Sequence, residues 1–188
     1  MPASKIMIVR HAEKPTDPGV TPVINGVAAD GSQNPEELVV RGWQRSGGLV
    51  RLFAPRDGHF VDPHLATPAT IFASKVDHHS ESLRPQHTVL ELATVLGCPF
   101  NTAFKKDDFA AMATAAVATS GIVLIAWEHQ DIPSIANQIV GNTTTVPQQW
   151  PGNRFDVVWV FDPQGSGWTF SQVPQLLLSG DSATPIPN

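Results

Sequence analysis

Two kinds of apolar pattern alternate along the chain: short continuous runs, and segments in which apolar residues recur every three or four positions. Continuous runs bounded by turn residues are typical of strands that are buried on both faces of a sheet. The predicted strands are Ile6–Val9, Thr70–Ala73, Ile122–Trp127 and Asp156–Phe161. The turn Gly165-Ser166-Gly167 then predicts that residues 168–170 return as an antiparallel partner of the last strand.

Helical spacing marks four further segments. The first carries Val39, Trp43, Val50 and Phe53, the second runs from a Ser82 cap to Leu96, the third begins near Asp107 or Asp108, and the fourth follows an Asp131 cap. Strands that alternate with helices predict an α/β fold. We expect a three-layer α/β/α arrangement with a mostly parallel central sheet and an antiparallel edge strand.

The loops and the length of the chain predict its organisation. Residues 14–35 are polar and rich in proline and glycine, which predicts a long loop, and such loops are often functional or disordered. A chain of 188 residues with 41% hydrophobic content and no linker is expected to form a single domain over residues 1–188. The last eight residues are expected to be a frayed tail.

The composition limits which ligands and surfaces the protein is expected to bind. A net charge of −5 argues against nonspecific binding to nucleic acid or to anionic membranes, so an anionic substrate needs a local cluster of basic side chains. Cys98 is alone, which excludes an intrachain disulfide and a cysteine metal site. The chain has no recognisable signal peptide and no apolar stretch of about 20 residues, so we expect a cytoplasmic protein without a membrane span.

Histidines follow two of the predicted strands. Arg10 and His11 come directly after the first strand, and His129 comes just after Ile122–Trp127. The carboxyl ends of parallel strands meet at one edge of a sheet, where ligands bind. Arg84 lies near the start of a predicted helix, where free N–H groups also favour an anion. An isolated Arg-His pair is commonly structural, but these four residues together predict a pocket for one phosphoryl group.

Four segments, in order, resemble the histidine phosphatase superfamily, also called phosphoglycerate-mutase-like. Residues 8–13, Ile-Val-Arg-His-Ala-Glu, resemble its opening Arg-His-Gly/Ala signature, and residues 41–45 resemble its following helix. Residues 80–88 match its Ser-x-x-x-Arg-x-x-x-Thr pattern. Residues 125–129 resemble the strand that delivers its second histidine. The resemblance extends from residue 5 to about residue 160.

The resemblance implies a role for each residue of the pocket. His11 would be the nucleophile that is transiently phosphorylated, while Arg10, Arg84 and His129 would bind the phosphoryl oxygens. No metal or other cofactor is implied. The chemistry of phosphoryl transfer agrees with these roles, since a neutral imidazole must attack phosphorus while cations neutralise the charge of the phosphoryl oxygens.

The proton donor for the leaving group is left open. Glu128 is next to His129, although strand alternation predicts that it points to the opposite side. Asp131 lies two residues after His129, whereas the acid-phosphatase branch of the family has its donor directly after that histidine; its alternative role is a helix cap. Residues 105–108 occupy the place of the mutase-branch glutamate, and Glu13 is a further candidate. We name Glu128 and Asp131 as the candidate catalytic acids.

Other charged residues have simpler expected roles. His78 and His79 lack a third metal ligand, which favours a solvated loop over a metal site. Arg45 and Lys14 either add positive potential to the pocket or are surface charges. The chain has no Gly-rich Walker loop, so nucleotide binding by that route is not expected.

The leading hypothesis is a metal-independent phosphomonoester phosphatase that forms a phosphohistidine on His11 and takes a small phosphorylated substrate. A phosphoglycerate-mutase-type phosphotransferase and a phosphohistidine phosphatase are alternatives, and a noncatalytic phospho-ligand-binding protein is an alternative of another class. The chain is shorter than typical cofactor-dependent mutases and has no obvious C-terminal lid, which favours the phosphatase. No pattern in the sequence encodes the substrate or the oligomeric state.

Overall fold

The computed structural model describes residues 2–188, and a single six-stranded sheet organises them. Its strands are β1 (Ala3–Arg10), β2 (Thr70–Ala73), β3 (Phe100–Asn101), β4 (Gly121–Trp127), β5 (Val157–Gln164) and β6 (Gly167–Pro174). The helices are α1 (Val40–Phe53), α2 (Arg84–Leu96), α3 (Phe109–Ala118) and α4 (Ile132–Val140), with a 3₁₀ turn at Lys106–Asp108 before α3. Strand β3 was not predicted, because two residues carry no periodicity.

The strand order is β3-β2-β4-β1-β5-β6, and β1 to β4 are mutually parallel. Strand β5 runs antiparallel to β1, and β6 runs antiparallel to β5. The predicted fold class is confirmed. It differs in one detail: β5, the strand that runs antiparallel to β1, is not the edge strand, because β6 lies outside it. The tight turn at Gly165, with φ of 60°, returns β6 along its outer side.

The central strands end together, which places the candidate residues on one edge. Arg10 pairs with Trp127 across β1 and β4, and the backbone N–H of His11 donates to the Trp127 carbonyl at 2.9 Å. His11 therefore follows β1 at the level where β4 ends. His129 follows β4 at the same edge of the sheet.

Helices cover both faces of the sheet and form two cores. Helices α1 and α2 pack on one face, where Leu49, Phe53 and Leu92 are buried; α3 and α4 pack on the other, around Met112 and Ile135. Burial of such side chains stabilises the fold by about 1.5–3 kcal/mol each. This packing holds the carboxyl-end edge of the sheet rigid beneath the candidate site.

One predicted helix cap is wrong, and the other is in the predicted place without a side-chain hydrogen bond. The residue before α2 is Leu83 and not Ser82, and it makes no side-chain cap bond. Asp131 does precede α4, but its carboxylate also makes no cap bond. Pro85 in the first turn of α2 and the left-handed Gly97 after it agree with the sequence.

The expectation of a frayed tail is wrong. Ile186 is 2% exposed, and the Gln172 side chain holds its backbone by accepting from its N–H at 2.9 Å and donating to its carbonyl at 2.8 Å. Arg154 donates to the Thr184 carbonyl at 2.8 Å. The tail is therefore part of the packed structure beside β6.

Within residues 2–188, no helix has the length and apolar character that crossing a membrane requires.

Candidate active site

His11 is presented by the end of β1 and is 6% exposed. Its Nδ1 lies 2.8 Å from the Ala12 carbonyl oxygen. Because a carbonyl only accepts, Nδ1 carries the proton and Nε2 keeps a lone pair. Burial, together with the charge of Arg10, lowers the pKa of His11 well below its ordinary value. The imidazole is therefore neutral at physiological pH, the form in which it is a nucleophile.

The segment that follows His11 is fixed to α2. The Ala12 N–H donates to Thr88 Oγ1 at 2.8 Å, and Thr88 Oγ1 donates to the Arg84 carbonyl at 2.7 Å. The Thr88 hydroxyl thus links the backbone of Ala12, the residue after His11, with the backbone of Arg84. Thr88 is the last residue of the motif noted in the sequence, so the structure gives that motif a physical reason.

Arg10 is 1% exposed and only partly satisfied. Its Nη1 donates to the carbonyls of Gly152 at 2.7 Å and Arg154 at 3.0 Å, and its Cζ lies 3.7 Å from the centre of the Phe155 ring. Its Nε and Nη2 are buried without a partner among the described residues. Burial lowers the pKa of Arg10 to about 10, so it is still charged at neutral pH. Buried, unpaired donors on a cation are costly and mark a place where an anion fits.

Arg84 is the first residue of α2. Its Nη1 donates to the Pro35 carbonyl at 2.8 Å, its Nη2 lies 3.6 Å from Glu36 Oε2, and its buried Nε has no partner in the described chain. Burial lowers the pKa of Arg84, while the charges of Glu36 and Glu128 oppose that shift. Arg84 thus also keeps one donor free.

His129 follows β4 in a turn and is partly buried. Its Nδ1 is buried and makes no hydrogen bond within residues 2–188. Burial and the charge of Arg10 lower the pKa of His129 to about 4, so the ring is neutral at physiological pH. It therefore offers a hydrogen bond to a ligand and not a second positive charge.

Three of the four residues predicted to bind the phosphoryl group line one cavity of about 500 Å³. His11, Arg84 and His129 line it, and Arg10 lies beneath, since its charge lowers the pKa of both histidines. Further lining residues are Lys14, Glu36, Lys106 and Glu128. Three of the four residues therefore share one cavity, and Arg10 lies close enough for its charge to act on both histidines.

Comparison with solved structures shows which fold this is. A candidate phosphohistidine phosphatase SixA from Agrobacterium tumefaciens superposes with a TM-score of 0.51 and 13% identity, covering 89% of this chain and 96% of that chain. The protein has the histidine phosphatase fold. A protein histidine phosphatase SixA complexed with tungstate matches at a TM-score of 0.48 and 13% identity over 91% of this chain and 97% of the other. A candidate α-ribazole-5′-P phosphatase from Escherichia coli K-12 matches at 0.46 and 11% identity over 89% and 94%.

No protein-family model matches the sequence, and no curated protein matches it significantly. The likeness therefore lies in the backbone, and the histidine phosphatase fold by itself assigns no substrate.

Glu128 lies on the side that the sequence did not predict. Strand β4 ends at Trp127, so alternation stops there, and the Glu128 side chain lines the same cavity as His129. Its Oε2 lies 2.5 Å from Lys106 Nζ. In this histidine phosphatase fold, Glu128 is thus a carboxylate in the cavity that is held by an ammonium group.

Asp131 occupies a different position. It is not among the cavity-lining residues of the described chain, and its Oδ2 is buried without a hydrogen bond there. Burial and the neighbouring charge of Glu128 raise the pKa of Asp131. Asp131 is therefore a carboxyl with a raised pKa that does not line the cavity.

Glu13 and Arg45 form an ion pair away from the cavity. Arg45 is 2% exposed and binds Glu13 through Nη2 at 2.8 Å and Asp181 through Nη2 at 2.7 Å. Arg41 adds a contact from Nε to Glu13 at 3.1 Å. Both sequence interpretations of Arg45, a surface charge or a pocket charge, are wrong, and neither Glu13 nor Arg45 lines the cavity among the described residues.

The sequence missed two parts of the site. The loop over residues 151–155 supplies the carbonyls and the ring that hold Arg10, and backbone acceptors leave no sequence signal. His78 and His79 are exposed, as expected for a solvated loop, but they also line the cavity. No group of three or more His, Cys, Asp or Glu within residues 2–188 is arranged to hold a metal ion.

Proposed function

We propose that this protein is a metal-independent phosphomonoester phosphatase that acts on a small phosphorylated substrate through a phosphohistidine on His11. The observation that carries the proposal is the His11 ring. The Ala12 carbonyl accepts from its Nδ1, which leaves a lone pair on Nε2, and the charge of Arg10, whose Nε and Nη2 are unpartnered, acts on the same ring. A nucleophile next to an unsatisfied cation is the arrangement that attack on a phosphoryl group requires.

The reaction has two displacements. His11 Nε2 attacks phosphorus, the bond between phosphorus and the leaving oxygen breaks, and the leaving alcohol takes up a proton. Arg10, Arg84 and His129 hold the phosphoryl oxygens through the nitrogens that lack protein partners. Water then attacks the phosphohistidine, its proton returns to the acid, the N–P bond breaks, and phosphate leaves.

We assign the proton transfer to Glu128, because it lines the cavity and Asp131 does not. The Glu128→Gln variant is expected to lose about 10²-fold in kcat on alkyl phosphates, whose alkoxide needs a proton. The Asp131→Asn variant serves as the matched comparison and is expected to lose less. A larger loss in Asp131→Asn than in Glu128→Gln would reassign the donor.

The test of the proposal is turnover of p-nitrophenyl phosphate by the purified protein and by His11→Ala. The variant should lose all measurable turnover while its thermal unfolding stays close to that of the wild type. Quenching in alkaline denaturant, in which the N–P bond of a phosphohistidine is stable, with substrate radiolabelled in its phosphoryl group should trap label on the wild-type protein only. Equal activity of the two proteins would contradict the proposal, and binding of phosphate without turnover would favour the noncatalytic alternative.

A second candidate is a phosphohistidine phosphatase. The ion pair of Glu128 with Lys106 favours it, since a carboxylate that accepts from an ammonium group is poorly placed to donate a proton. A phosphohistidine releases an imidazole, which is far less basic than an alkoxide and depends less on a proton donor. The SixA neighbours carry that name. A phosphohistidine peptide belongs in the same assay, and a preference for it over every alkyl phosphate would support this candidate.

A further inference from the structure

The basic side chains that line the cavity are each paired with a carboxylate. Lys14 Nζ lies 2.5 Å from Asp17, Lys106 Nζ lies 2.5 Å from Glu128, and Arg84 Nη2 lies 3.6 Å from Glu36. Beyond the donors at the phosphoryl position, this wall leaves no unpaired Lys or Arg among residues 2–188 for a second anion. A substrate with a second negative charge would therefore meet carboxylates at every one of these cations.

Apart from the carboxylate of Glu81, the rest of the wall is uncharged and mostly polar. Ligand cavities are mostly lined by apolar side chains, but Pro85 is the one apolar residue among the lining residues of the described chain. Hydroxyl, amide and imidazole groups make up the uncharged remainder: Ser74, Ser80, Ser82, Gln130, His78 and His79. An apolar leaving group would bury little apolar surface against this wall.

A rigid turn presents the two histidines. The backbones of Asp77 and Ser80 exchange two hydrogen bonds of 3.0 Å each, and Asp77 Oδ1 accepts from the N–H of His79 at 2.9 Å. The rings of His78 and His79 lie 3.9 Å apart, and neither ring makes a hydrogen bond within residues 2–188. Each imidazole can donate one hydrogen bond and accept another. The turn therefore offers pre-positioned, uncommitted partners for hydroxyl groups.

From these observations we propose that the substrate is the monophosphate of an uncharged, hydroxyl-rich alcohol, a sugar or a polyol, and that His78 and His79 recognise its hydroxyl groups. The inference rests on the proposed phosphatase function and specifies the leaving group. A cavity of about 500 Å³ holds a sugar-sized group together with the phosphoryl group. Paired charges exclude a second anion, and the polar wall gives no advantage to an apolar group.

The experiment compares three matched primary phosphates: glucose 6-phosphate within a panel of neutral sugar and polyol monophosphates, cyclohexylmethyl phosphate as the apolar isostere, and glucose 1,6-bisphosphate as the doubly anionic relative. The best panel member is expected to exceed both comparators in kcat/KM by about 10-fold or more, the effect of a few hydrogen bonds. A comparator that equals or exceeds the whole panel would overturn the inference.

The His78→Ala/His79→Ala double variant then tests the residues. It should lose about 10-fold in kcat/KM on the best panel member and several-fold less on cyclohexylmethyl phosphate, with the change carried by KM. His64→Ala, an exposed histidine 3.9 Å from Asp162 on β5, is the control and should change neither value. An equal loss on both substrates would overturn the recognition role.

The outcomes separate the two proposals. Hydrolysis that depends on His11 but shows no preference for hydroxylated substrates overturns this inference alone. Absence of turnover on every phosphate, p-nitrophenyl phosphate included, overturns the phosphatase and this inference with it.

Discussion

Arg10 and Arg45 are both buried arginines, yet their surroundings differ. Arg45 meets the carboxylates of Glu13 and Asp181 and the amide of Gln175, whereas Arg10 meets only carbonyls and a ring and keeps two nitrogens unpartnered within residues 2–188. Burial lowers the pKa of Arg10 to about 10, while at Arg45 the hydrogen bonds that it donates to Asp181 and Glu13 outweigh burial and raise the pKa. An unsatisfied buried charge, and not burial of charge as such, therefore distinguishes the candidate site from the structural ion pair.

The largest expected effect is on stability, at Arg45. Arg45→Met removes the cation and leaves the Glu13 and Asp181 carboxylates buried without it, which should lower the free energy of unfolding by about 3–5 kcal/mol. Urea unfolding followed by circular dichroism measures this loss. Arg51→Met, an exposed arginine on the same helix, should change stability by less than about 0.5 kcal/mol. Equal losses of unfolding free energy in the two variants would contradict the structural role of the Arg45 ion pairs.

The next effect is on rate, at Arg10. Arg10→Met should reduce kcat/KM for p-nitrophenyl phosphate by about 10²–10³-fold, because the donors beside the phosphoryl group are lost. Its stability should fall little or rise, since a partly satisfied buried charge is replaced by an apolar side chain. Steady-state kinetics and thermal unfolding on the same samples check both halves. A stability loss as large as that of Arg45→Met would mean that Arg10 is also structural.

A smaller effect is expected at Phe155, whose ring faces the Arg10 guanidinium at 3.7 Å. Phe155→Leu keeps an apolar side chain but removes the ring that contacts the Arg10 guanidinium. Inhibition by vanadate should weaken by about 10-fold, which corresponds to the loss of one desolvated cation–π contact. Phe155→Tyr keeps the ring and should restore binding. Failure of the tyrosine variant to differ from the leucine variant would show that the ring acts by packing alone.

The smallest effect concerns acid pH, at Asp181. Burial opposes the shift, but hydrogen bonds from Arg45 lower the pKa of Asp181 in the folded protein. A carboxyl whose folded pKa lies below its unfolded value of about 3.9 stabilises the fold above that value, and the contribution is lost as pH falls through the folded pKa. The melting temperature of the wild type should therefore drop more steeply below about pH 4 than that of Asp181→Asn. Parallel curves would contradict the assignment.

Much of the fold could be predicted from the sequence, because the continuous apolar runs of the chain are also its buried strands. Residues Ile6–Val9 are 0% exposed and lie in the centre of the sheet, so their pattern is unambiguous. The position of the four residues of the candidate site could also be predicted, since strand ends and a helix start determine which edge of the sheet each residue reaches.

The remainder depended on contacts between distant parts of the chain. Arg45 lies one helical turn before Leu49 on the buried face of α1, which is a signal for a buried arginine, but its partner Asp181 lies in a segment without periodicity. The side on which Glu128 lies depended on the residue at which β4 stops, and strand boundaries are the least regular feature of a pattern. The carbonyls that hold Arg10 belong to the backbone, which any residue supplies.

The contact between Arg45 and Asp181 joins residues 136 positions apart. During synthesis the strand that carries His11 leaves the ribosome early, and the carboxylate that completes the network behind it leaves much later. A nascent chain that ends before Asp181 lacks this carboxylate, so Arg45 has only Glu13 to neutralise it. The environment of the first strand is thus completed only when the last part of the described chain has been made, and a prematurely ended product would be left with an unbalanced charge in its interior.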